Sequence, residues 1–398
     1  MDNKSKHIFI VTWYKSENFG TCLQAYATYS VLQKNNDVVF LDRRTYYPIT
    51  KLSFFLNKVI HKLMAKLKNG NSTVSFLGFE YQHRQKIDKI EQFCKNNYEV
   101  RSIQSRKDVV QIDTWADCYL VGSDQMWNPW LLSPQYLLDF VPQKSKKPKY
   151  SYAASFGVDS IPNEKKHLYQ KYLPKFTHIT VREPRASELV KNISSKYAEV
   201  VLDPTFLLTQ NEWSLFASKS NICGEYGLNR DYVVCYFIGA QEFDHIKTVK
   251  KLAVLFGLKV VLLPIKENDY LEKDVTIIAN ACAYDFVSLI DNAKLVCTDS
   301  FHAVVFSFLM GTPFYDFPRF NKGDIYSQES RLQNIIEKFG LNNSYWNDDL
   351  NTQEIENHMT CDYSQGYEVL ENDRKRSLKI LYDMIDGKVE GELDEQDC

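Results

Sequence analysis

Short apolar runs alternate with helical patterns along this chain, in two separate series, and that alternation constrains the fold more than any other feature. Parallel strands need a crossover between them, usually a helix, so such a pattern predicts parallel sheets with helices on both faces. The first series runs through Ile8 to Trp13, a helix over Phe19 to Gln33, Val38 to Asp42, Cys118 to Val121, Tyr150 to Ser155, Ile179 to Arg182 and Val200 to Asp203. The second runs through Tyr232 to Ile238, a helix from Gln241 to Phe256, Lys259 to Leu263, a helix around Tyr284 to Asn292, Leu295 to Thr298, a helix from Phe301, and Pro313 to Phe317. The expected class is α/β, with two doubly wound lobes.

At 398 residues the chain is too long for one core, since domains commonly hold about 100–200 residues. Asp203-Pro204-Thr205 ends a strand with a proline, and a polar, glycine-bearing stretch follows. We therefore expect a first lobe over 1–205, a linker over 206–230 and a second lobe over 231–365. A terminal helix over 366–385 can cross back to the first lobe, and an acidic tail fills 386–398.

Net charge is −2, without the basic excess that nucleic-acid binding requires. No apolar run reaches the about 18 residues of a membrane span, and the opening run is too short for a signal peptide, so a cytoplasmic location is expected. The nine cysteines form no C-x-x-C pair and no Cys/His cluster at zinc spacing, so neither a disulfide framework nor a metal is expected. Cys118, Cys235 and Cys297 lie in strand-like runs and read as buried, reduced thiols.

In doubly wound sheets the ligand crevice forms beyond the carboxyl ends of the strands, which directs attention to four segments. Asn18-Phe19-Gly20-Thr21 follows the first strand and opens a helix, whose free N–H groups favour an anion. Gly122-Ser123-Asp124-Gln125-Met126-Trp127-Asn128 packs polar, acidic and aromatic residues after another strand. Thr180-Val181-Arg182-Glu183 leaves an arginine at a strand end. Thr298-Asp299-Ser300-Phe301-His302-Ala303 closes a strand and starts a helix, which Ser300 can cap and whose first turn holds His302.

In this order, and with Asp203-Pro204-Thr205 between them, the segments resemble the N-x-G, G-S-D-Q-x-W-N, S-V-R-E, D-P-T and T-D-S-F-H-G blocks of the polysaccharide pyruvyl transferase family. The resemblance covers about residues 8 to 340. It implies two Rossmann-like lobes facing a central cleft, a GT-B-like fold with the acceptor on the first lobe and the donor on the second. It also implies transfer of the pyruvyl group of phosphoenolpyruvate, a donor substrate rather than a cofactor, onto sugar hydroxyls as a ketal. The acceptor would be a cell-surface glycan, of an exopolysaccharide or capsule, or its lipid-linked precursor.

Such chemistry needs an acid for the enol carbon, donors for carboxylate and phosphate, and a base for the hydroxyl. His302, whose ordinary pKa suits neutral pH, is the expected general acid/base, with Asp299 beside it. Only 12 of the 48 basic residues are arginines, yet Arg182, Arg185, Arg319 and Arg331 lie in or beside the blocks. Arg182 is the first choice for the anion. Asn18, Gly20, Ser123, Asp124, Gln125, Trp127, Ser300, Arg319 and Arg331 complete the expected binding set. Two positions depart from the family pattern. Ser300 stands where some members carry an arginine, which Arg319 or Arg331 would have to replace, and Ala303 stands in place of a glycine.

Other readings of these residues stay open. Asp124 and Asp299 read equally well as loop anchors, Trp127 as core filler or sugar platform, and Asp203 as a turn first and a site contact second. A nucleotide-sugar glycosyltransferase, with Asp291 or Glu267 on the ribose, and a non-catalytic glycan-binding relative are the alternative functions. From Lys51 to Lys68 the apolar spacing predicts a basic amphipathic helix, a solvated face or a contact with anionic lipid at the inner face of the plasma membrane.

Overall fold

The structure is a computed structural model and describes residues 5–43, 73–239, 244–319 and 329–388. Among them a seven-stranded sheet comprises β1 (His7–Val11), β2 (Asp37–Asp42), β3 (Val100–Ser102), β4 (Cys118–Val121), β5 (Lys149–Ala154), β6 (His178–Val181) and β7 (Glu199–Val200). Its order is β3-β2-β1-β4-β5-β6-β7. A five-stranded sheet comprises β8 (Tyr232–Tyr236), β9 (Lys259–Leu262), β10 (Thr276–Ile277), β11 (Leu295–Thr298) and β12 (Phe314–Asp316), ordered β10-β9-β8-β11-β12. All described pairings are parallel. Each sheet grows outward from its first strand, so the order reverses at β1/β4 and at β8/β11, the positions at which doubly wound sheets place ligands.

The central strands β4, β8 and β11 are buried throughout, as strands covered on both faces must be. Their cysteines are free thiols, and burial pushes Cys118 up to about 12 and raises Cys235 and Cys297 as well. Two edge strands, β3 and β10, were not expected. The strand expected over Val200 to Asp203 stops at Val200, because the chain turns there toward the terminal helix: Leu202 N donates to Ser377 Oγ at 3.1 Å. The helix expected from Gln241 begins at His245, capped by Asp244.

One hydrophobic core runs through both lobes. The helix Phe19–Gln33 buries 12 of its 15 residues, because the first sheet covers one side and helices of the second lobe cover the other. Phe19 stacks on Phe286 at 4.8 Å, Tyr26 meets Phe216 at 4.5 Å and Trp213 meets Phe306 edge-on at 4.7 Å. The helix Phe301–Met310 is buried along its whole length. The last helix, Ser364–Asp386, returns to the first lobe, where Arg376 Nη2 donates to Val200 O and Lys6 Nζ to Ile385 O. No helix of the described residues is long and apolar enough to cross a membrane. The Lys51–Lys68 segment and the tail beyond 388 lie outside the described residues.

Candidate active site

The site forms where β4, β6 and β7 end and the helix Phe301–Met310 begins. Its centre is Asp203, a carboxylate with no exposed side-chain surface. Oδ1 accepts from Thr205 N at 3.0 Å and Thr205 Oγ1 at 2.7 Å, which fixes the turn Pro204–Leu207. Oδ2 accepts from Arg182 Nη1 at 2.7 Å and Ser123 Oγ at 3.1 Å, and lies 3.8 Å from His302 Nε2. Burial pushes the Asp203 carboxyl up, but Arg182, His302 and the Thr205 donors outweigh it and hold the group below its ordinary value.

Arg182 keeps one edge for Asp203 and lays its guanidinium over the Phe301 ring at 4.5 Å. Nε stands 3.7 Å from Glu183 Oε2, too far for a hydrogen bond. Among the described residues neither Nε nor Nη2 has a hydrogen-bond partner, although both are buried. Desolvation works against the cation, yet Asp203, Glu183 and Asp124 prevail and raise its pKa further. Beyond Arg182 a cavity of about 200 Å³ is lined by Asp203, Phe206, Phe301, Lys338 and Arg376.

His302 sits in the first turn of its helix with 8 % of its side chain exposed. Its ring rests directly on the first turn of the helix Phe19–Gln33. A Cβ at Gly20 would lie 2.0 Å from His302 Nδ1 and 2.6 Å from His302 Cβ, so no other residue fits at position 20 without displacement. Asn18 caps this helix, its Oδ1 accepting from Gly20 N at 3.0 Å. Thr21 Oγ1 then donates to Asp124 Oδ2 at 2.8 Å, tying the helix to the loop after β4. Asp124 holds that loop in a left-handed conformation at φ 76° and also accepts from Gln125 N.

The model of the polysaccharide pyruvyl transferase family matches residues 18–315, which include Ser123, Asp124, Arg182, Asp203 and His302. The chain belongs to that family. No curated protein matches it. Among solved structures it is similar to the UDP-GlcNAc 2-epimerase of Methanocaldococcus jannaschii, with TM-score 0.52 and 12% identity over 94% of this chain and 99% of that one. The enzyme of Neisseria meningitidis, bound to UDP-GlcNAc, gives TM-score 0.51 and 12% identity over 96% and 100%. At such identity the likeness establishes the GT-B fold and nothing about substrate.

The remaining expected residues of this pyruvyl transferase family member divide into those near the centre and those elsewhere. Asp299 and Arg319 form a second cluster at the ends of β8 and β11. Both Asp299 oxygens accept from backbone amides, Ile238 N and Gly239 N, each at 2.7 Å, so Asp299 fastens the loop after β8. Burial raises its pKa despite these donors and Arg319. A Cβ at Gly239 would fall 2.6 Å from Asp299 Oδ2 and 2.8 Å from Arg319 Cγ, so the arginine lies across that glycine. Ser300 occupies the N-cap position, but its side chain makes no capping bond, contrary to expectation; its N–H donates to Thr298 Oγ1 at 3.0 Å.

Trp127 is a correction. It is completely buried, donates to Tyr136 O at 2.8 Å and packs on Phe156 and Phe176, so no sugar can stack on it. Gln125 Oε1 accepts from Asn128 Nδ2 within the same loop. Arg185 turns outward to Glu188 and Asp159 O. Arg331 lies in the helix Glu329–Lys338, and its side chain is outside the described residues. Sequence reasoning missed Thr21, Ser155 and Glu183 as partners, the last two joined at 2.7 Å, and undervalued Asp203. An acid directly before a proline at a strand end was the available signal. Among the described residues no group of three His, Cys, Asp or Glu is placed to hold a metal ion.

Proposed function

We propose that the protein transfers the pyruvyl group of phosphoenolpyruvate onto two hydroxyls of a sugar, in a cell-surface glycan or its lipid-linked precursor, as a cyclic ketal. One observation carries the reading: Arg182 and His302 meet on the same oxygen of Asp203, and among the described residues the buried Nε and Nη2 of Arg182 have no hydrogen-bond partner. Unsatisfied buried donors are costly, and a carboxylate or phosphate satisfies an arginine fork well.

In this mechanism His302 delivers a proton to the methylene carbon of the enol, turning it into a methyl group. One sugar hydroxyl forms a C–O bond to the adjacent carbon, the bond to phosphate breaks, and the second hydroxyl closes the ketal. Of the two hydroxyl protons, one replaces the proton that His302 gave and the other leaves with inorganic phosphate. Arg182 neutralises charge on the donor while its Asp203 contact fixes the guanidinium plane.

Phosphate release from phosphoenolpyruvate in the presence of saccharide acceptors tests the proposal. His302→Ala should lose about 10²–10⁴-fold in rate, the usual contribution of a general acid. Arg182→Lys keeps the charge but loses the fork, and should raise KM for phosphoenolpyruvate. Full activity in His302→Ala would refute the role. The nucleotide-sugar alternative has less support. Asp291 ends its helix at the amino-terminal edge of the strands, opposite the edge where His302 lies. Thermal shifts with phosphoenolpyruvate against UDP- and GDP-sugars separate the two readings.

A further inference from the structure

We infer that Asp203 is a positioning residue that keeps the His302 imidazole protonated. The carboxylate follows β7, the last strand of the first lobe, yet one of its oxygens serves groups from three elements: Ser123 after β4, Arg182 after β6, and His302 at the start of the helix Phe301–Met310. Its other oxygen is held by Thr205, so the group cannot rotate away. With no exposed surface it is shielded from water and salt, which leaves its effect on a neighbouring charge less screened than on the surface.

The charges around His302 pull in both directions. The first turn of the helix Phe19–Gln33 contains no acid and lies against the ring at Gly20, so the positive end of its dipole disfavours an imidazolium. Arg182, held on the same carboxylate oxygen, disfavours it too. Asp124 accepts from Thr21 and Gln125 N with its two oxygens, while Glu183 accepts from Ser155 with Oε1 and has Oε2 3.7 Å from Arg182 Nε. Among the described residues, Asp203 at 3.8 Å is a carboxylate within ion-pair reach, and its charge opposes the helix terminus and the arginine. A general acid placed against a helix N-terminus needs such a counter-charge to remain an acid near neutral pH.

For its effect on turnover the inference rests on the reading of His302 given above; for the proton affinity of His302 it does not. The test is therefore an NMR titration of the histidine rings in the full chain, with His302 assigned from the signal lost in His302→Gln. In the wild-type protein His302 should titrate above the ordinary value of about 6.5. In Asp203→Asn, which keeps shape and removes charge, it should fall by about one pH unit or more, a tenfold loss of proton affinity. The basic limb of the kcat/KM profile should move by the same interval. A wild-type value below the ordinary one, or a His302 titration unmoved in Asp203→Asn, overturns the inference, and the wild-type measurement stands even where the variant does not fold. A titration that moves while the kinetic limb does not would support the role of Asp203 and refute His302 as the acid.

Discussion

Gly20→Ala tests whether the seat of His302 is as tight as the structure requires. The added Cβ would lie 2.0 Å from Nδ1, 2.2 Å from Cγ and 2.6 Å from Cβ of His302. A rotamer change could move the ring, but the Cβ of His302 is fixed to the backbone. Restoring an ordinary contact of about 3.5 Å to that atom therefore requires one helix to retreat by about 1 Å. Overpacking of this kind costs about 1–3 kcal/mol, and the better helix propensity of alanine returns at most about 1 kcal/mol. The fold should survive with a modest fall in Tm. Activity should not: a displacement of about 1 Å at a catalytic group is worth about 10²-fold, or about 2.7 kcal/mol. Gly257→Ala is the control, since that glycine has φ 62° and nothing within 4 Å of the added atom. It should cost about 1–2 kcal/mol from left-handed backbone strain and leave turnover intact. A folded Gly20→Ala protein with wild-type kcat/KM would show that the position of His302 does not matter, and the mechanism would fail with it.

Trp213 is buried, donates to Thr205 O at 2.9 Å and meets Phe306, so Trp213→Ala should cost about 3–5 kcal/mol and melt both lobes in a single transition. Two separate calorimetric transitions would contradict a shared core. Trp127→Ala should lose a similar about 3–5 kcal/mol while the folded fraction keeps its acceptor KM; a raised KM without lost stability would return Trp127 to the site. Burial lowers the pKa of His358 despite its 2.6 Å contact with Phe314 O. The native state therefore keeps His358 neutral while the unfolded chain protonates first. Its contribution to stability is complete above about pH 6.5 and declines as pH falls from there through the folded pKa, with a slope of at most about 1.4 kcal/mol per unit. Chemical denaturation of His358→Gln from pH 7.5 down to 5 should show that slope reduced; an unchanged slope would assign it elsewhere. Asp203 acts lower on the scale, its stabilisation present above the unfolded carboxyl pKa and lost as pH falls through the depressed folded one.

The elements that could be read from sequence were those whose burial is uniform. Cys118–Val121 and Leu295–Thr298 are covered on both faces and therefore apolar without interruption, and their bounds match the reading. The edge strands Val100–Ser102 and Thr276–Ile277 are short and partly exposed, and their composition does not separate them from loops. At the site the blocks located the residues but not their tasks. Trp127 and Asp124 stand in the same loop, yet the indole faces the core and the carboxylate faces the helix Phe19–Gln33. The sequence places Asp299 next to Ser300 and close to His302, but three-dimensional pairing commits its oxygens to amides near position 238. Asp203 looked like a turn residue because half of it is one; its second oxygen belongs to Arg182 and Ser123, which are distant in sequence.

The position of His302 between lobes bears on how the site can move. Two-lobed proteins often hinge, except where the interface is large and apolar. Here the seam contains Phe19 on Phe286 and Tyr26 on both Phe216 and Trp213. Separating the lobes would expose these rings, and at about 1.5–3 kcal/mol for each large apolar side chain the total approaches that of a whole domain's stability. The contact of His302 with Gly20 lies in the same seam, so opening it would also dismantle the site. Donor binding should accordingly leave the lobes where they are. Small-angle scattering with and without saturating phosphoenolpyruvate should give the same radius of gyration, and a compaction on binding would mean that the apolar seam opens at far lower cost than its burial implies.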